Sequence, residues 1–129
     1  MQQYIKKRLT DVDVIEGEYG DPYPVIEKNY DYIISFLCPW ILKKKSLKKA
    51  KIAINFHPAP PAYPGIGGYN FAIYNKDNTY GVTCHEMMPM VDSGNIIQVI
   101  EFNISLSESV QSLKNKSMEH LTNLFQNIV

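Results

Sequence analysis

The chain is short of net charge, of cysteine and of long apolar runs, and each shortage removes a class of function. Thirteen Lys and Arg balance thirteen Asp and Glu over 129 residues, and the pI is about 6.8. No global field would draw in nucleic acid or an anionic membrane, so a ligand must be held by a local site. The basic run LKKKSLKKAK at 42–51 reads as one solvated helix face. Cys38 and Cys84 have no metal-like spacing and make no disulfide framework. Reduced thiols in a cytoplasmic protein, and no metal, are therefore the expectation. The longest apolar stretch, YIISFLCPWIL at 32–42, is interrupted by Pro39 and falls far below the roughly 20 residues of a membrane span, so no membrane segment is expected. No GxSxG pattern announces a nucleophilic serine.

What remains is 45% apolar and 20% charged, the balance of a single globular domain over 1–129 with one core. Tyr4, Ile5 and Leu9 predict a helix over 2–9, and the alternation in DVDVIEG predicts a half-buried strand over 11–17. GEYGDPYP at 17–24 is turn chemistry. YDYIISFL at 30–37 is apolar on both faces, as in an interior strand. A helix over 40–49 with Trp40, Ile41 and Leu47 inward, then a strand over 51–56, imply a right-handed parallel crossover. A short helix over 68–75, a turn at 75–78 and strands over 80–89 and 96–104 follow. Ser105 and Glu108 form a candidate capping box for a final helix that carries Val110, Leu113, Leu121, Leu124, Phe125 and Ile128 on one face. The order predicts an α/β, doubly wound, mostly parallel sheet with helices on both faces, and a site outside the carboxyl ends of its strands.

That rule singles out INFHPAPPAYPGIGGYN at 54–70. Asn55 and His57 are two apart at the predicted end of a strand, so they share a face. Pro58 holds His57 extended, and the proline-rich stretch after it is stiff and poor in backbone donors. Asp92, in VDSGNII, sits in a turn that can aim a carboxylate at the same cleft. An amide, an imidazole and a carboxylate suit acyl transfer by direct attack of an amine, the amide polarising a carbonyl, the imidazolium stabilising an oxyanion and the carboxylate tuning the imidazole or taking a proton.

In order and spacing, NFHP, YGVTCHEM and VDSGNII resemble the formyltransferase family, which includes methionyl-tRNA formyltransferase and glycinamide ribonucleotide transformylase; the resemblance covers about 30–104. It implies a Rossmann-like fold, catalysis by Asn55, His57 and Asp92, and 10-formyltetrahydrofolate as the donor co-substrate. The folate set it implies is backbone near Leu37, Cys38, Pro39 and Trp40 and in the Met90 to Asp92 loop through Met90 and Val91, with His85 a further residue of the second motif. The loop HPAPPAYPGIGGYNFAIYN lacks the arginine of the tRNA and purine enzymes and is closer to sugar N-formyltransferase-like members. An amino-sugar nucleotide is accordingly the expected small-molecule amine acceptor, and no nucleic acid is expected.

Members of the family usually begin with a strand and a glycine-rich turn, whereas this sequence opens on a helix, so an amino-terminally shortened domain is expected, with open sheet edges that can pair chains into a homo-oligomer. Two further readings stand beside the active enzyme: a catalytically silent fragment or binding subunit, and a formyltetrahydrofolate hydrolase or methionyl-tRNA formyltransferase-like enzyme.

Overall fold

A computed structural model describes residues 1–88 and 94–129. The elements run α1 (Gln2–Arg8), β1 (Tyr30–Phe36), α2 (Lys44–Leu47), β2 (Ala50–His57), α3 (Gly68–Tyr74), β3 (Thr79–Glu86), β4 (Ile96–Asn103) and α4 (Val110–Ile128). The sheet order is β1-β2-β3-β4.

The α/β class and the parallel β1–β2 crossover agree with the sequence; the proportion of parallel pairing does not. β2 pairs with β3, and β3 with β4, in antiparallel fashion, so the sheet is mixed. β3 and β4 are joined by residues 87–95, fewer than the dozen or more that a parallel crossover needs. β1 lies at one end of the strand order rather than in the interior. Its apolar residues on both faces are covered only in part, and Tyr32 is 59% exposed.

Residues 12–17 form no strand, because alternation supplies a buried face but no partner for the backbone. Side chains tie that segment down instead: Asp13 accepts from the Tyr30 hydroxyl at 2.6 Å and from Lys28 Nζ at 3.5 Å, and Gln2 donates to Glu16. The helix expected over 40–49 shrinks to four residues. Trp40 lies against Gly17 and donates Nε1–H to the Asp21 carbonyl at 3.1 Å, while Ile41 faces solvent. Tyr23 sets the start of α2, its hydroxyl accepting from Lys43 N at 2.9 Å and pairing with Ser46 Oγ at 2.7 Å.

The core lies on one face of the sheet. Ile54 and Phe56 of β2 and Val82 and Cys84 of β3 meet Leu121, Leu124 and Phe125 of α4, with Tyr4 and Ile5 of α1 at the margin. A second cluster joins Ala72 of α3, Tyr80, Leu113 and Ala59. Four of the six residues predicted for the apolar stripe of α4 are buried, Val110 and Ile128 being the less buried ends. The capping box is Ser109 with Ser112, not Ser105 with Glu108. Ser105 closes the preceding turn through Glu108 N at 3.1 Å, and the Glu108 carboxylate takes Lys116 Nζ at 2.8 Å and the Ser112 hydroxyl. Both cysteines are free thiols; burial pushes Cys84 up to about 11, which keeps it from acting as a nucleophile near neutral pH.

Candidate active site

Because Ile54 and Phe56 face the core, period-two alternation turns Asn55 and His57 to the opposite face. The antiparallel ladder then sets Asn55 opposite His85 and His57 opposite Thr83. Asn55 Nδ2 is 3.4 Å from His85 Nε2, and the His57 and His85 rings meet edge-on with centroids 6.4 Å apart. Three side chains from two strands thus meet at the carboxyl end of β2, where open α/β sheets gather ligands.

The proline-rich loop after β2 is held down by donors from the strands beneath it. Prolines carry no N–H, so such a loop offers mainly carbonyl oxygens, and these need donors when covered. The Tyr80 hydroxyl donates to the Pro58 carbonyl at 3.2 Å, and the Thr83 hydroxyl to the Ala59 carbonyl at 2.8 Å. His57 Nε2 contacts the Tyr63 carbonyl at 3.2 Å; since a carbonyl only accepts, Nε2 carries a proton there. Sequence reasoning passed over Tyr63, Tyr80 and Thr83. The available signal was Thr83 two residues before His85, on the same strand face, beneath a loop that lacks its own donors.

At the end of the loop, Gly68 opens α3 where a Cβ would stand 2.6 Å from the Tyr80 hydroxyl and 3.3 Å from Ala59 and Tyr63. Gly68 thus serves loop-to-sheet packing, and Gly67 is the N-cap of the helix.

Leu37, Cys38, Pro39 and Trp40 follow directly on β1. Since Phe36 pairs with Phe56 in the parallel ladder, they lie along the same sheet edge as His57. Leu37 has φ of +51°, which turns the chain off the strand there. Cys38 Sγ donates to the Trp40 carbonyl at 3.4 Å. Met90, Val91 and Asp92 lie outside the described residues.

Gly94 lies two residues before β4, and its lack of a side chain is required. A Cβ there would sit 1.7 Å from the Glu86 carbonyl oxygen, and the backbone has little room to retreat because Glu86 N donates to Asn95 O at 2.8 Å. Gly94→Ala is expected to destabilise the fold by about 1–3 kcal/mol, as overpacking does, read as a lower urea midpoint. A change below about 0.5 kcal/mol would contradict this packing.

Among the described residues no group of three or more His, Cys, Asp or Glu is placed to hold a metal, and no helix is long and apolar enough to cross a membrane.

The chain is similar to known proteins in sequence and in fold. A family model described as formyl transferase matches residues 16–129. The bifunctional polymyxin resistance protein ArnA of Wigglesworthia glossinidia brevipalpis is 33% identical over 88 residues, 67% of this chain and 14% of that protein. The methionyl-tRNA formyltransferase of Pseudothermotoga lettingae is 29% identical over 107 residues, 74% of this chain and 35% of that protein. The chain therefore spans only a minor part of the length of these relatives. Among solved structures, an N-formyltransferase from Helicobacter canadensis in complex with folinic acid and dTDP-3-aminofucose superposes with a TM-score of 0.65 at 26% identity, over 73% of this chain and 35% of that one. The match spans most of the sequence and includes both strands that carry the clustered side chains, and the chain belongs to the formyl transferase family.

Proposed function

We propose that the chain carries the formyl-transfer site of a folate-dependent N-formyltransferase, with 10-formyltetrahydrofolate as donor and the amine of a nucleotide-linked amino sugar as acceptor. The observation that carries the reading is the meeting of Asn55, His57 and His85 at the carboxyl end of β2 in a member of this family. The solved relative that holds folinic acid and dTDP-3-aminofucose supports the pairing of a folate with an amino-sugar nucleotide.

In the proposed reaction the amine nitrogen attacks the formyl carbon. A new C–N bond forms while the carbonyl π electrons move onto oxygen, giving a tetrahedral oxyanion. Asn55 and protonated His57 stabilise that charge, as preorganised donors do. Asp92 accepts a proton from the attacking amine, directly or through water. Collapse of the oxyanion breaks the bond to N10 of the folate, which leaves as tetrahydrofolate after taking up a proton. Leu37 to Trp40, Met90 and Val91 are assigned to the pteridine through their backbone groups.

The test is turnover of the purified chain with 10-formyltetrahydrofolate and a dTDP-linked amino sugar, together with thermal unfolding in 5-formyltetrahydrofolate. Formylated sugar is expected, with about 2.7 kcal/mol of added stability at a folate concentration near 100 times Kd. Formate release without acceptor would replace the reading with hydrolysis. Folate-induced stabilisation without turnover would replace it with a binding subunit.

A further inference from the structure

His85 is only 4% exposed, and its two ring nitrogens meet partners of opposite kind. Nδ1 lies 2.8 Å from the backbone carbonyl oxygen of Glu86. A carbonyl can only accept, so Nδ1 carries the ring proton. Nε2 lies 3.4 Å from Asn55 Nδ2, an amide nitrogen that can only donate. A neutral ring with its lone pair on Nε2 satisfies both contacts, and the bond at one nitrogen sets the chemistry of the other.

From these contacts we infer that His85 is a positioning residue, locked as the Nδ1–H tautomer by the Glu86 carbonyl, whose Nε2 takes one N–H of Asn55 and so fixes which end of that amide faces the site. The inference rests on the formyltransferase reading for its catalytic consequence, but not for the tautomer itself. The two ends of an asparagine amide have nearly the same shape, so packing alone chooses poorly between them. With nitrogen turned toward His85, Asn55 is oriented as a donor on the side it shares with His57. Flipped, it would offer a carbonyl oxygen to a developing oxyanion, reversing the sign of the interaction. The ladder supports the same role: Asn55 and His85 are direct cross-strand partners, and the β3–β4 register shifts between Cys84 and His85, a kind of irregularity that re-aims a side chain.

Two substitutions separate positioning from simple support. His85→Gln places an amide oxygen within reach of the former Nε2 position and retains an acceptor for Asn55. His85→Asn retains a donor for the Glu86 carbonyl but has nothing at Nε2. The Asn variant is expected to lose roughly 10- to 100-fold in kcat with KM for both substrates within about twofold, and the Gln variant to stay within about threefold of wild type in kcat. Equal losses in the two variants, or a loss confined to KM, would overturn the inference.

A second measurement needs neither turnover nor a variant that folds: two-bond proton–nitrogen correlation of the labelled full chain at neutral pH. A neutral Nδ1–H ring at His85 is expected. An Nε2–H ring or an imidazolium would overturn the inference. The Nδ1–H ring in a chain that transfers no formyl group would leave the His85–Asn55 arrangement standing and defeat the formyltransferase reading instead.

Discussion

His57→Ala is expected to lower kcat for formyl transfer by about 10²- to 10³-fold, the usual cost of removing one donor from an oxyanion site, while the protein stays folded. The two effects separate because of where the side chain points. His57 is half-buried on the face of β2 away from the main core, and its described bond is to the Tyr63 carbonyl at 3.2 Å. Losing such a bond costs about 1 kcal/mol, a shift of a few degrees in Tm for a chain of this size. The measurement is kcat beside thermal unfolding for wild type and variant. Activity within about threefold of wild type would remove His57 from the chemistry. A collapse of the cooperative transition would mean instead that the imidazole anchors the proline loop.

The placement of Asn55 and His57 was legible because a strand end and a proline coincide. The alternation in KIAINF and the extended bias that Pro58 imposes on His57 place Asn55 and His57 on one face, and β2 does end at His57. The stripe on α4 was legible for a similar reason: four of its residues are buried against the sheet. The direction of β3 and β4 was harder to read. An alternating order of helices and strands suits parallel and mixed sheets alike, and only the short 87–95 link argues for a hairpin. Residues 11–17 misled because alternation describes a side-chain pattern and says nothing of a neighbouring backbone. The true N-cap of α4 was hidden because Ser112 answers Ser109 in place of the usual Glu or Gln. The role inferred for His85 depends on a cross-strand partner thirty residues away, which no local pattern encodes.

Phe125→Ala is expected to destabilise the fold by about 3–5 kcal/mol, the range for emptying a buried phenylalanine site. That is a large part of the roughly 5–15 kcal/mol by which domains are stable. Phe125 is 1% exposed and its ring is the hub of an aromatic cluster, with centroids 4.9 Å from Phe56, 5.3 Å from Phe36 and 6.2 Å from Tyr4. Those neighbours come from β2, β1 and α1, two of them strands fixed in the ladder, so the cavity cannot close by moving a single loop. The Tyr4 hydroxyl also donates to the Gln126 carbonyl at 2.9 Å, which ties α1 to the same turn of α4 and adds to the strain of any collapse. Urea unfolding is the measurement, with a lower midpoint and an unchanged slope expected. Leu106→Ala serves as the control, since Leu106 is fully exposed and its loss should fall within about 0.5 kcal/mol. Phe56 lies between Asn55 and His57 in β2, its ring on the core face and their side chains on the other. Below the melting temperature Phe125→Ala should therefore spare kcat far more than His57→Ala does, because it weakens the support beneath the strand without removing a group from the site. Equal losses of kcat in the two variants, with both folded, would mean that the two faces of β2 are coupled more tightly than packing alone requires.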